Sequence, residues 1–326
     1  MARIYKGRDG KRKYDWTETS VKLKWNGASS SSSPYSDSVY IDSFQMLSAI
    51  NRKLMPQGQI ARIKNFRVFT QHTNEQLRFK VGVLPRTWMT RNAWVKAKAL
   101  WDEMNALAAM NVGGSSVYPK WHDFKVYMNN AHRLQAGTDV LMPSDMDDSA
   151  IAYGGLGEWE YSQYSDSGTS ADNWYVHMLG DHAQVAGSDD NWSSVGLIQA
   201  YAESRVKQHS PSPNLPSEMD NSPWGRLFGD DDQTNDVFER LEEDNDRPPY
   251  SSDYIGGLDF TGGHQVGVGT LSNTNNDKGT LAVKLPSFVA PLGLIRLELD
   301  DINGFTTEST GIEISFDVEI IGKMDM

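Results

Sequence analysis

Ile312-Glu313-Ile314-Ser315-Phe316-Asp317-Val318-Glu319-Ile320 alternates apolar and polar side chains without a break. Successive side chains of a strand point to opposite faces, so this period of two predicts a strand that buries Ile312, Ile314, Phe316, Val318 and Ile320 and leaves the acids wet. The same period recurs in Leu77-Arg78-Phe79-Lys80-Val81, Leu281-Ala282-Val283-Lys284-Leu285 and Ile295-Arg296-Leu297-Glu298-Leu299, each bounded by Gly, Pro or Asn-rich turns. Less regular apolar segments are Val39 to Ile50, Ile60 to Thr70, Thr138 to Met142, Gly157 to Tyr164, Trp174 to Leu179, Gly196 to Val206, Ile255 to Phe260 and Gln265 to Leu271. They bring the expected total to about a dozen strands of ordinary length.

Two helices interrupt this pattern. Trp94, Ala97, Trp101, Met104 and Ala108 recur at helical spacing between Thr90 and Met110, with Thr90 or Asn92 as cap and Gly113-Gly114 as stop. A shorter helix is expected from Asn235 to Glu243, ending before Pro248-Pro249. Strands and helices do not alternate, which argues against a parallel α/β sheet. Asp145 to Ser149 and Tyr164 to Asn173 read as short polar linkers, and Gln208 to Gly229, with its four prolines, reads as a long loop. No repeat of fixed period is present, which weighs against propellers and solenoids.

Charge divides the chain. Arg3, Lys6, Arg8, Lys11, Arg12, Lys13, Lys22 and Lys24 oppose only Asp9, Asp15 and Glu18, so the first 24 residues carry +5 and the remainder −17 of a total of −12. Ser29 to Ser33 and Pro34 set this arm off, giving a basic, Ser-rich arm over 1–33 and a β domain over 34–326 with a loop-rich insertion around 207–250. Tyr5, Tyr14, Trp16 and Trp25 interleave with the cations. Cations release counterions from phosphates and rings stack on unpaired bases, so the eight basic residues are candidate nucleic-acid contacts. The competing reading is a tail, or a first strand, lying over a neighbouring subunit.

The absent chemistries are informative. With no cysteine there is no disulfide, thiolate nucleophile or cysteine zinc site. Neither a signal peptide nor a membrane-spanning run is expected. No P-loop or Gly-x-Ser-x-Gly elbow appears, Gly267-Val268-Gly269 lacks the rest of a dinucleotide fingerprint, and Asp301-Ile302-Asn303-Gly304 has Leu299 and Thr310 where a calcium loop needs ligands. His177 and His182 lack a further ligand for a metal, and His122 and His132 read as ordinary polar positions. Asp230 to Asp232 followed by Asp236, Glu239, Glu242, Glu243, Asp244 and Asp246 reads first as a solvated helix face with its cap, and second as carboxylates for Ca²⁺ at subunit contacts. No catalytic residue and no obligatory cofactor are expected.

Trp121-His122-Asp123-Phe124-Lys125-Val126-Tyr127 with Ala131-His132, His177 to His182, Gly196 to Arg205, and Asp244 to Tyr250 resemble segments of capsid proteins from small circular single-stranded DNA viruses. The resemblance spans about residues 120 to 250. It implies a structural protein with a jelly-roll sandwich that self-assembles into an icosahedral shell of many copies around viral single-stranded DNA. Localisation would be the virion after synthesis in a host cytosol, with a host receptor as a further partner. Such coat proteins are often strongly basic, and this chain has a pI near 5.0. Antiparallel strands in two sheets meet the same expectation from the residues themselves: mainly β, an antiparallel jelly-roll sandwich with two inserted helices and long loops. A double jelly roll over an internal membrane is one alternative. Others are a carbohydrate-binding β-sandwich displaying Trp159, Trp174 or Trp192, and a glycosidase using a pair of carboxylates.

Overall fold

A computed structural model of the chain describes residues 4–6, 12–14, 17–26, 37–70, 76–112, 123–135, 143, 159–165, 173–184, 192–206, 263–272, 281–301 and 311–325. In chain order the elements begin with β1 Ile4–Lys6, β2 Arg12–Tyr14, β3 Ser20–Asn26, β4 Asp37–Asp42, α1 Ser43–Asn51, β5 Gln59–Thr70 and β6 Gln76–Val83. There follow α2 Trp88–Val112, β7 Tyr127–Asn129, α3 Asn130–Gln135, β8 Gln163–Ser165, β9 Asn173–Leu179, β10 Ala183–Gln184, β11 Trp192–Gly196 and α4 Leu197–Val206. The chain then returns through β12 His264–Ser272, β13 Leu281–Lys284, β14 Phe288–Pro291, β15 Leu294–Asp301 and β16 Gly311–Lys323.

Two antiparallel sheets form a mainly β sandwich. One has the order β13-β5-β16-β3, with β14 also on β5, and the other β12-β6-β15-β4. Successive strands of the roll therefore pass from sheet to sheet except from β6 to β12, which are neighbours in one sheet, and the eight principal strands make one jelly roll of two interleaved Greek keys. The face between the sheets is apolar because alternate residues point into it. Ile312, Ile314, Phe316 and Val318 of β16 meet Val21 and Leu23 of β3, Ile63, Phe66 and Val68 of β5, and Val39, Ile41, Phe79, Val81, Ile295 and Leu297 of the second sheet. Each such side chain contributes about 1.5–3 kcal/mol on burial. Ile320, expected to be buried, is 39% exposed although it still pairs with buried Ala61.

The segment 84–263, between β6 and β12, is the insertion. Its small sheet runs β10-β11-β9-β7, and both β7 and β11 lie parallel to β9. The sandwich sheets are antiparallel as expected, and the parallel pairs are confined to this small sheet. Trp94, Phe124, Val126, Met128, Val176, Met178 and Ile198 form a second core with Tyr40, Leu292 and Leu294 of the roll. Along β4, Val39 and Ile41 point into the sandwich while Tyr40 and Asp42 point into the insertion. The outer face of β4 and β15 is thus covered, and the molecule has three layers there.

Four helices occur among the described residues, where two were expected. α2 agrees with the helix read from Thr90 to Met110. The run Val39 to Ile50 divides into β4 and α1, because the Asp42 carboxylate caps the helix by accepting from the backbone N–H of Phe44 and Gln45. Gly196 to Val206 is α4 rather than a strand. The segments Thr138 to Met142, Ile255 to Phe260 and Asn235 to Glu243 lie outside the described residues.

Candidate nucleic-acid interface

β3 determines how the basic arm meets the body. Its Val21 and Leu23 are buried in the sandwich, and it pairs along β16 from Ser20 opposite Asp317 to Asn26 opposite Gly311. The boundary drawn at residue 33 from charge and serine content thus falls beyond a strand of the roll. Lys22 and Lys24, on the opposite side of β3 from Val21 and Leu23, lie across from Ser315 and Glu313. Lys6 stands in β1 and Arg12 and Lys13 in β2, an antiparallel pair whose register sets Lys6 opposite Arg12. Arg3, Arg8 and Lys11 lie outside the described residues.

On the other side of β16, β5 turns Arg62, Lys64 and Arg67 outward, and Lys284 of β13 lies opposite Arg67. The outer face of this sheet therefore gathers Lys22, Lys24, Arg62, Lys64, Arg67 and Lys284 around a central row of Glu313, Asp317 and Glu319. Glu319 takes Lys64 Nζ at 2.9 Å and Arg62 Nη1 at 3.4 Å, and its carboxyl is held below the usual range chiefly by the hydrogen bond from Lys64. Asp317 accepts from Ser20 Oγ and from Asn65 Nδ2, each at 2.7 Å. Exposed ion pairs of this kind contribute about 0–1 kcal/mol. These carboxylates therefore hold their cationic partners only weakly.

Arg62, Lys64, Arg67 and Lys284 were not among the sequence candidates. Their signal was the alternation of Ile60 to Thr70, hidden by a bulge. Asn65 has φ of 52°, and Ser315 and Asp317 pair with Arg67 and Lys64, so Asn65 and Phe66 together oppose Phe316. The bulge lets Ile63, Phe66 and Val68 all point inward while Lys64 and Arg67 both stay out.

The insertion is tied to the roll by a buried polar seam. Gln57, fully buried, accepts from Val126 N–H at 2.7 Å and donates to Val126 C=O at 3.0 Å and to Asp42 Oδ2 at 2.9 Å. Tyr161 Oη donates to the same Asp42 oxygen at 3.3 Å, and Gln57 N–H donates to Asp123 at 3.0 Å. Burial pushes the Asp42 carboxyl up to about 6. His132 is stacked on Tyr40 with ring centroids 4.8 Å apart, and burial lowers its imidazole to about 3.

The histidine pair is built into backbone contacts. His177 meets Ser194 Oγ at 2.7 Å and the Asp181 carbonyl at 2.8 Å, while His182 Nδ1 accepts from Gly196 N–H. Both ring nitrogens of His177 are thereby engaged, and among the described residues no group of three metal-ligating side chains occurs. The carboxylates of 230–246 lie outside the described residues, as do Asn303 and Gly304. Trp159 packs partly against the sandwich core with Lys125 Nζ 4.9 Å above its ring, so that ring face is already occupied. Comparison with family models, curated proteins and solved structures finds no match to this chain.

Proposed function

We propose that this chain is a shell-forming coat subunit whose basic sheet face and N-terminal arm together contact a single-stranded nucleic acid. The observation that carries the reading is the strand order β3-β16-β5-β13 over β12-β6-β15-β4, an architecture that viral coat subunits share with lectins and cupins. Charge favours the coat among these. In a chain of net charge −12, six outward cations face three carboxylates on one sheet, and the arm enters that sheet through β3. The sequence resemblance to small single-stranded DNA virus coats points the same way.

Electron microscopy of the purified full chain tests the assembly, with closed uniform particles as the expected result. A monomer at high concentration across salt and pH refutes it. Fluorescence anisotropy with a thymidine oligonucleotide tests the face: Arg62→Glu, Lys64→Glu and Arg67→Glu combined should weaken binding at least tenfold and flatten its salt dependence. Single-strand binding falls with salt in proportion to the phosphates neutralised, with a slope of about −0.7 per contact. Unchanged affinity in the triple variant removes the face from the reading.

A further inference from the structure

Four strands of the basic sheet bring Lys22, Ser315, Arg67 and Lys284 into one row, because Lys22 pairs with Ser315, Ser315 with Arg67 and Arg67 with Lys284. Neighbouring strands lie about 4.8 Å apart, so the row crosses about 14 Å of sheet, and it holds three cations and no carboxylate. The next outward row sets Lys24, Glu313, Phe69 and Ala282 in the same register. Directly opposite residues of an antiparallel pair share a face, and Glu313 and Ala282 are both exposed, so Phe69 points outward with them. Its neighbour Val68 is fully buried in the sandwich. Phe69 itself is partly exposed and belongs to neither apolar core, and among the described residues it is the one aromatic side chain on this outer face.

Covering the aliphatic stems of Lys24 and Arg67 would be served as well by leucine. What a ring adds is a flat π-face, and every base has one too, so an aromatic beside a phosphate-binding row holds a base whatever its identity. Phe69 and Arg67 stand two residues apart on one strand, about 7 Å between Cα atoms, so a nucleotide with its phosphate on Arg67 and Lys284 can lay its base on Phe69. Ala282 presents only a methyl on one side of the ring. Glu313, on the other side, turns phosphates away from the Phe69 row and toward the row that holds no acid. A base inside a duplex is already stacked on its neighbours and offers a protein only its edges. We propose, resting on the nucleic-acid reading of this face, that Phe69 stacks one unpaired base of a strand whose phosphates follow Lys22, Arg67 and Lys284. This contact makes the face prefer single strands to duplexes.

Fluorescence anisotropy on the full chain tests this with a thymidine oligonucleotide, a strand of equal length made of abasic sites, and a duplex. Uridine RNA run in parallel separates a DNA from an RNA ligand. Stacking one base on an aromatic ring changes affinity by about five- to a hundredfold. Phe69→Leu should therefore weaken thymidine binding by about fivefold or more and leave abasic and duplex binding unchanged. Phe69→Tyr, which keeps the ring, should bind thymidine as the native chain does. Equal losses on the thymidine and abasic strands overturn the proposal, because the ring would then only shape the basic row. So does an unchanged thymidine affinity in Phe69→Leu. The reading of the face fails separately: Arg62→Glu, Lys64→Glu and Arg67→Glu combined should weaken all the ligands, and native affinity in that variant excludes the face and Phe69 with it. If Phe69→Leu lowers the thermal midpoint, photo-cross-linking of the native chain to a 5-iodouracil oligonucleotide decides. An adduct on the peptide carrying Phe69 supports the proposal, and adducts confined to other peptides overturn it.

Discussion

Replacing Gln57 by Leu should undock the insertion from the roll. The side chain is fully buried, and leucine is apolar and of comparable volume though one atom shorter, so the change mainly removes polarity. Three hydrogen bonds disappear: the two to Val126 and the one to Asp42. Val126 is buried, so its N–H and C=O both lose their partner without gaining water, whereas Asp42 Oδ2 keeps Tyr161. An unsatisfied buried group costs about 1–3 kcal/mol, and two of them with a weakened third make a loss of about 3–5 kcal/mol after the gain from apolar burial. Urea unfolding gives the total, and hydrogen exchange locates it. Met128 N–H, which donates to His132 Nδ1 at 3.1 Å, should exchange about a hundredfold faster, since each 1.4 kcal/mol is a factor of ten. The core strands β5 and β16 should keep their protection. A loss under about 0.5 kcal/mol, or acceleration spread evenly over both layers, refutes the reasoning that this amide ties the layers together.

Deleting residues 1–16 should leave the thermal midpoint unchanged, whereas deleting 1–33 removes β3 with buried Val21 and Leu23, costs about 3–6 kcal/mol and bares the edge of β16; equal stability of the two truncations by circular dichroism refutes the placement of β3. Acidification should destabilise the fold between about pH 6 and pH 4. His132 and His177, held near 3 and near 4, stay neutral while their unfolded counterparts protonate below 6.5, so their stabilisation is lost as pH falls. Asp42 works the other way: held at about 6, it keeps its proton in the fold and favours stability at low pH. Two protons taken up on unfolding against one released leave these three groups a slope of about 1.4 kcal/mol per pH unit, which urea midpoints across that window measure and His132→Gln should flatten. Gly293→Ala should cost at least about 1 kcal/mol, because φ is +67° and a Cβ would lie 2.3 Å from Ser43 Oγ and 2.6 Å from the Phe44 ring; an unchanged midpoint would mean that the turn after β14 relaxes freely.

What could be read from the residues beforehand was the half-buried strand. β6, β13, β15 and β16 each bury one face, and the period of two exposes that directly. Three features escaped for different physical reasons. Asp42-Ser43-Phe44-Gln45 has the spacing of a capping box, yet the apolar run through Ile50 obscures the change from strand to helix. The short β7 is buried throughout and β9 over its last four residues, so neither shows alternation there, and parallel pairing leaves no local signature. The cationic face fails to appear because it joins β3 and β5 to β13, more than 200 residues further along the chain, and because the Asn65 bulge breaks the period at its centre.

The acidity of the chain and its proposed attraction to a polyanion are reconciled by arrangement. Charges separated by more than a Debye length, about 10 Å at 0.1 M salt, act nearly independently, so the net −12 does not govern a phosphate lying on the outer face of β3, β16, β5 and β13. That phosphate sees six cations and three carboxylates, with the arm's further cations delivered to the same sheet. β3 is the hinge of the argument: its Val21 and Leu23 fix the strand in the core, and this fixes where Lys22 and Lys24 stand and from which edge the arm departs. The net negative charge of the chain is carried by the rest of the molecule. Under the proposed function, a strand of nucleic acid can then approach productively from one side only, and a neighbouring subunit gains most by joining where that strand already bridges two basic faces.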